Sequence, residues 1–340
     1  MNLQQRISAF VSLGQYLYTA SQQSDTDAEI DLLQLFNRAK FKNPWYSTDN
    51  IKLAFLNHSQ LLTKENLSAA VQNFPCPENT DKRIAAVLTD RIPLECFSDI
   101  VCILLTGNHA IVRPTEKDFV TWFVLKKLKE IEPEFADYIV IDDAILHPFD
   151  AIIAENTNEL FARHAPKRPN LLRDEKTSIA VLDGTENAEE LSKLGKDIFN
   201  FYGLSTKNVS KIFVPKDFEI TRIFEAVEPF NTVSMHFKYM NNYEYNKSIY
   251  LISRLEHLDN GFLILKNDSE LKSPVAVVFY EKYSDISQVQ KIVQENRNKI
   301  RNIISNKTAL LPDAIPFGTA TEIQKNELTE TLNFLTHLTI

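Results

Sequence analysis

"RIAAVLTDRIPLECFSDIVCILLTGNHAIVRP", residues 83–114, is the stretch on which the architecture turns. Residues 83–90 read as one apolar strand, 94–107 as a helix ending at Gly107, and 109–114 as a second apolar strand. A strand without polar alternation is buried on both faces. Strand, helix and strand therefore read as a β-α-β unit of a parallel sheet covered on both sides. Gly107-Asn108 supplies the tight turn into the second strand.

The pattern continues in both directions. Downstream come an amphipathic helix at 116–132 and strands at 138–142 and 149–156. A second α/β block opens with a strand at 178–184 and a helix at 187–202. It goes on through a strand at 210–215, helices at 217–227 and 237–254, and strands at 261–267 and 273–283. A helix at 285–300, a loop or short strand at 314–318 and a final helix complete it. Upstream, 1–20 and 26–40 read as helices. A third starts near Asp49, a fourth is capped by Thr63, and Pro75 and Pro77 close the region. The basic, proline-bearing stretch 164–176 is the natural boundary. The expected divisions are a helical region at 1–75 packing on a nucleotide-binding-type α/β domain at 76–170. A catalytic-type α/β domain at 177–312 and a C-terminal segment at 313–340 follow.

Composition narrows the function classes. The chain has 340 residues, 44% apolar and 24% charged, the balance of a globular protein with room for two domains. Net charge is −8 and scattered, which argues against nucleic acid as the partner. No apolar run approaches the ~20 residues that span a bilayer, and the opening residues lack the order of a secretion signal. Cys76, Cys96 and Cys102 match neither a disulfide framework nor a zinc pattern. The expectation is a reduced, cytoplasmic protein without a structural metal. Cys96 and Cys102 sit among Phe97, Ile100, Val101, Ile103 and Leu104, as buried structural cysteines do.

Local chemistry is sparse. Glycine-rich phosphate loops and a G-x-S-x-G turn are both missing from the sequence. Asp142-Asp143 after a strand reads as an acid/base pair, or as a solvated turn or helix cap. Arg113-Pro114-Thr115-Glu116 leaves the carboxyl end of a strand, where open α/β sheets bind ligands. Its alternative is a plain strand exit with Thr115 capping the helix at 116–132. Residues 235–252, rich in Tyr and Asn, either pack on a sheet with their hydroxyls satisfied or line an acyl channel or an interface.

Several stretches resemble the aldehyde dehydrogenase superfamily, and within it the LuxC-type acyl-CoA reductases. They are "NPWYSTDNIKLAF", "IPLECFSDIVCILLTGN", "GNHAIVRPTEKD", "KLGKDIFNFYGLSTKNVSKIFVPKDF", "NNYEYNKSIYLI", "LDNGFLILKNDSELKSPVAVVFYE" and "IPFG", in consistent order over residues 43–318. The resemblance implies an aldehyde dehydrogenase-like fold and reduction of fatty acyl thioesters to aldehydes with NADPH. It also implies an acyl-CoA or acyl-carrier thioester as ligand and a homodimer, or a complex with an active paralogue. Cofactor-binding positions carry over to Pro93, Arg113, Thr115 and Glu116.

At three positions the chain departs from that pattern. The family's nucleophilic cysteine aligns with Thr206, whose hydroxyl needs an adjacent base that residues 199–218 do not offer; Lys207 reads as a solvated charge. The family's oxyanion asparagine before Ile-Pro aligns with Arg91. The glycine-bearing pyrophosphate loop aligns with "ENTNELF" (155–161), where Glu155 would repel a phosphate, so NADP binding is expected to be weak or absent. Two readings follow. The chain is an acyl-CoA reductase-like protein, or a catalytically inactive relative that serves as an acyl-thioester- or nucleotide-binding or scaffolding subunit.

Overall fold

The computed structural model describes residues 1–23, 29–78, 80–142, 147–155, 167–306 and 311–338. The chain divides into two units, Met1–Asp174 with Ile323–Ile340, and Glu175–Glu322.

The first unit opens with helices α1 (Leu3–Gln22), α2 (Ile30–Lys42), α3 (Thr48–Leu61) and α4 (Lys64–Val71). Ser47 caps α3 by accepting from the Asn50 amide, so Asp49 lies within the first turn rather than at the cap. Thr63 caps α4 as expected. A five-stranded, wholly parallel sheet follows, formed by β1 (Arg83–Val87), β2 (His109–Arg113), β3 (Ile139–Ile141), β4 (Ala151–Glu155) and β5 (Asn170–Arg173). Its spatial order is β3-β2-β1-β4-β5. Helices α5 (Phe97–Leu105), α6 (Phe119–Ile131) and α7 (Phe135–Tyr138) connect its strands. Ile84, Ala85, Ala110, Val112, Ile152 and Ile153 are all buried, which is why these strands read as continuous apolar runs.

Gly107 adopts φ +80, and a Cβ there would fall 2.5 Å from the Pro77 carbonyl. Nearby, fully buried Arg6 donates to the Leu105 carbonyl at 2.7 Å and to the Pro77 carbonyl, tying α1 to the end of α5. The final helix of the chain, Lys325–His337, packs on α5 and α4 within this same unit. Arg173 secures it by pairing with both Asp99 and Glu330.

The second unit holds a seven-stranded sheet in the order β12-β11-β6-β7-β10-β9-β8. Its strands are β6 (Thr177–Val181), β7 (Val209–Pro215), β8 (Leu258–Asp259), β9 (Ile264–Asn267), β10 (Val277–Tyr283), β11 (Ile300–Ile304) and β12 (Ala314–Ile315). All neighbours are parallel except β8 and β9. Helices α8 (Ala188–Phe199), α9 (Thr221–Val227), α10 (Phe237–Ile252) and α11 (Ile286–Glu295) connect them. Ile179, Val181, Phe213, Val289, Ile300 and Ile303 form one core cluster of this unit.

Three strands lie where a strand was not expected: the two-residue β8, which pairs antiparallel with β9, and β5 and β11. β5 falls inside the predicted boundary stretch; it is partly exposed and flanked by Pro169 and charges, so it carries no strand-like pattern. β11 begins at Ile300, where the helix at 285–300 was expected to end. Asn296 closes that helix early, its amide bonding the Ile292 carbonyl, without a glycine or proline to announce the stop.

Candidate functional site

In the first unit the candidate residues converge on the carboxyl ends of β1 and β2. Val87 of β1 stands opposite Arg113 of β2, and the Leu88 amide donates to the Arg113 carbonyl at 3.0 Å. The loop 88–96 that leaves β1 is held from beneath by the "NPWY" segment. Asn43 Nδ2 donates to the Asp90 carbonyl at 2.7 Å, and the fully buried Tyr46 hydroxyl donates to the Ile92 carbonyl at 3.1 Å. Pro93 is buried within this loop, and Leu94 takes φ +59, which starts α5 at Phe97 rather than at 94.

Arg91 does not stand open as an oxyanion donor. Its Nη2 donates to Glu95 Oε1 at 2.9 Å and its Nε to Glu95 Oε2 at 3.3 Å. The same Nη2 pairs with Glu155, the last residue of β4. Burial opposes the Arg91 charge, but the Glu95 carboxylate above all, with Glu155, outweighs it and raises the guanidinium above its ordinary value. Thr89 Oγ1 donates to Glu95 Oε2 at 2.6 Å and fixes that carboxylate. The expected repulsive acid and the expected misfit cation are thus one ion pair, not two separate departures. The remainder of the 155–161 loop lies outside the described residues.

The exit of β2 is organised differently from the expectation. Asp118, not Thr115, caps α6 and accepts from the Thr121 amide at 3.0 Å. Asp118 is buried, and desolvation pushes its carboxyl up to about 6. Thr115 Oγ1 instead accepts from the Lys117 amide at 3.3 Å within the loop. Glu116 is exposed, and Arg113 is half-buried at the strand end.

In the second unit the turn before β7 carries Thr206. The helix expected to run to residue 202 stops at Phe199, and Phe201, Tyr202 and Gly203 take φ +53, +57 and +74. Two consecutive aromatic residues in the left-handed region are strained. Such strain persists only where packing over-determines it, and it concentrates at functional sites. Here Phe201 is buried, and the Tyr202 ring lies 4.3 Å from that of His236.

Asn208 locks the turn that follows. Its Oδ1 accepts from the Ser205 amide at 2.9 Å, and its Nδ2 donates to the carbonyls of Asp197 and Asn200 at 3.0 Å. Ser205 Oγ accepts from the Lys207 amide at 3.2 Å, and Ser178 Oγ donates to the Thr206 carbonyl at 3.3 Å. The backbone around Thr206 is thus tied at the Ser205 and Lys207 amides and at the Thr206 carbonyl. Its half-buried hydroxyl has no carboxylate or imidazole hydrogen-bonded to it among the described residues. Lys207 is not a solvated charge: its Nζ donates to the Glu322 carbonyl at 3.2 Å.

Three groups that the sequence reading did not single out support this unit. Asp197, 1% exposed, accepts from the amides of Gly318 and Ala320 at 2.6 and 2.8 Å, and burial pushes its carboxyl up to about 7. Lys211, fully buried in β7, pairs with Glu281 at 2.7 Å and donates to the Asp268 carbonyl; desolvation lowers its pKa. Glu186 turns back to accept from the amides of Asp183 and Gly184 at 2.7 and 3.0 Å. An acid one turn before a helix end and a lysine inside a strand leave no pattern that periodicity can register.

The remaining candidates resolve simply. Burial raises the thiols of Cys76, Cys96 and Cys102, which keeps all three protonated, and Cys102 is fully buried. Asp142 is buried and accepts from both the amide and Nδ1 of His147, at 2.9 and 2.6 Å; Asp143 lies outside the described residues. On α10 the hydroxyls of buried Tyr239 and Tyr243 bond the Phe262 carbonyl and Asp259, as in the packing reading. Its other face exposes Phe237, Tyr245, Ile249 and Ile252. Among the described residues no cluster of side chains could hold a metal ion, and no helix is long and apolar enough to cross a membrane.

No protein-family model matches the sequence, and no curated protein matches it. Solved structures do. Aldehyde dehydrogenase 21 from Physcomitrella patens, in complex with the reaction product succinate, aligns with a TM-score of 0.66 at 11% identity, over 98% of this chain and 84% of its own. The propionaldehyde dehydrogenase of a Clostridium phytofermentans fucose-utilisation microcompartment, as its His387Ala mutant, aligns with a TM-score of 0.59 at 9% identity. It covers 95% of this chain and 82% of its own. The NADP-dependent glyceraldehyde-3-phosphate dehydrogenase of Bacillus halodurans, complexed with NADP, aligns with a TM-score of 0.57 at 10% identity, over 95% and 78%. Two parallel-sheet units built on these strands give the chain the α/β fold of the aldehyde dehydrogenase superfamily.

Proposed function

We propose that this chain is a relative of the LuxC-type acyl-CoA reductases that binds an acyl thioester or a nucleotide and no longer reduces the thioester. The supporting observation is Thr206. A hydroxyl with an ordinary pKa far above neutrality stands in a turn held by side-chain-to-backbone hydrogen bonds, and no base is bonded to it among the described residues. The Arg91 guanidinium is engaged by Glu95 and Glu155, which leaves it a poor oxyanion donor. None of the three cysteines offers a thiolate in Thr206's place.

The test mixes purified protein with NADPH and acyl-CoA of several chain lengths and measures aldehyde and NADP+. Background rates with saturable acyl-CoA binding are expected; turnover on the order of 1 per second would overturn the silent reading.

A second reading, NADPH-dependent acyl-CoA reduction, draws support from the left-handed strain kept at Phe201 and Tyr202. An eroding scaffold would relax such strain by substitution to glycine. The proposed assembly is a homodimer, for which the exposed face of α10 offers an apolar stripe, with a complex beside an active paralogue as the alternative. Light scattering of the isolated chain separates the two.

A further inference from the structure

The five-stranded sheet has a topological switch point between β1 and β4. These strands are neighbours, yet the chain leaves β1 toward β2 on one side and β4 toward β5 on the other. In open α/β sheets the crevice at such a point, outside the carboxyl ends, is where ligands bind. Two side chains meet across it here: Arg91 from the loop leaving β1, and Glu155 from the end of β4. Glu95 holds the other side of the same guanidinium. Among the described residues one cation faces two carboxylates, with side-chain exposures of 28%, 13% and 20% for Arg91, Glu95 and Glu155. A guanidinium at this place would otherwise suit a diphosphate, which it binds as a two-pronged donor.

The second sheet repeats the arrangement with different donors. Its switch point lies between β6 and β11, and there the Glu186 carboxylate sits on the paired amides of Asp183 and Gly184, a small anion-binding nest. In each sheet a carboxylate of the chain itself lies at or just beyond the end of a strand that borders the switch point.

We infer that Glu155 is a built-in counter-anion that occupies Arg91 in place of the diphosphate of a nucleotide, so that such a ligand binds only by displacing it. The inference rests on the nucleotide- or thioester-binding reading above, since both NADPH and CoA carry that diphosphate. Its consequence is a site whose affinity for diphosphates is limited by an internal competitor rather than by a missing cation.

The test is titration of ADP and of inorganic pyrophosphate into wild-type protein, Glu155→Gln, and Arg91→Ala/Glu155→Gln by calorimetry at low salt. Glu155→Gln keeps the shape and removes the charge; about tenfold tighter ADP binding is expected, a change of ~1.4 kcal/mol. The gain should shrink as salt rises and vanish in the double variant. Unchanged affinity in Glu155→Gln, or a gain that survives loss of Arg91, would overturn the inference. Should Glu155→Gln fail to fold, the Arg91 guanidinium resonance of the wild type supplies the same decision: it shifts with saturating ADP if displacement occurs and stays fixed if not. Acyl-CoA binding to the wild type is measured separately. Its absence ends the thioester half of that reading without altering the ADP comparison.

Discussion

The loop 88–96 in the first unit and the turn 200–208 in the second both depart from the chemistry that the family resemblance implies, and they do so by opposite means. In the loop the departure is a charge. Arg91 is answered by Glu155 and Glu95, side chain to side chain, because an unpaired charge at a half-buried strand exit is costly. In the turn the departure is uncharged: a hydroxyl and a methyl group where a thiol is expected. The contacts of Asn208, Ser205 and Ser178 there are all with backbone, so none of these depends on which atom residue 206 carries. Arg91 and Glu155, which belong to two separate departures in the sequence, are one ion pair in the structure.

The largest expected effect tests the turn. Asn208→Ala strips one acceptor and two donors from buried partners and should destabilise the protein by about 4 kcal/mol in urea unfolding. A loss below 1 kcal/mol would mean that the turn holds itself. Next comes the loop. Arg91→Ala leaves two carboxylates facing each other and should cost about 2 kcal/mol, part of it recovered by adding Glu155→Gln. A double-mutant cycle on 91 and 155 should give a coupling of about 1 kcal/mol; additivity would dissolve the contrast drawn here.

A smaller effect appears with pH. Burial raises the Asp197 carboxyl from 3.8 to about 7, against the amides of Gly318 and Ala320 that favour its charge. The folded state thus holds this proton more tightly than the unfolded state. Its contribution is full below the unfolded pKa and is lost as pH rises through about 7. Stability should fall by about 1.4 kcal/mol between pH 6 and 8, and Asp197→Asn should flatten that slope. The smallest effect is Thr206→Cys, expected within about 0.5 kcal/mol of the parent. The new thiol should react with iodoacetamide while reductase activity stays at background, because Arg91 and Glu155 are unchanged. Strong reductase activity from this one substitution would show that the loop in the first unit is no obstacle.

Wherever burial is two-sided, the sequence determined the element. Apolar runs at 83–90, 109–114 and 210–215 became β1, β2 and β7, since a strand covered on both faces must be apolar throughout. Thr63 at the start of α4 was legible for the same kind of reason: a cap is a local bargain between one side chain and an amide three residues on. Locality also sets the limit. Thr115 and Asp118 are both acceptable caps three residues apart, and the path of the chain out of β2 chose the second. β5 and β11 took their strand character from neighbours already in the sheet, not from their own residues.

Thr206 could be singled out in the sequence by its neighbours alone, but what surrounds its hydroxyl could not. The groups that hold the turn, from Asp197, Asn208 and Ser178, stand 9 residues before Thr206, 2 after it and 28 before it. The pairing of Arg91 with Glu155 lies further out of reach. The two are separated by 64 positions and meet because β4 lies beside β1 rather than beyond β3. Sequence supplies which charges exist; strand order, a choice made by the whole sheet as it packs, decides which of them cancel.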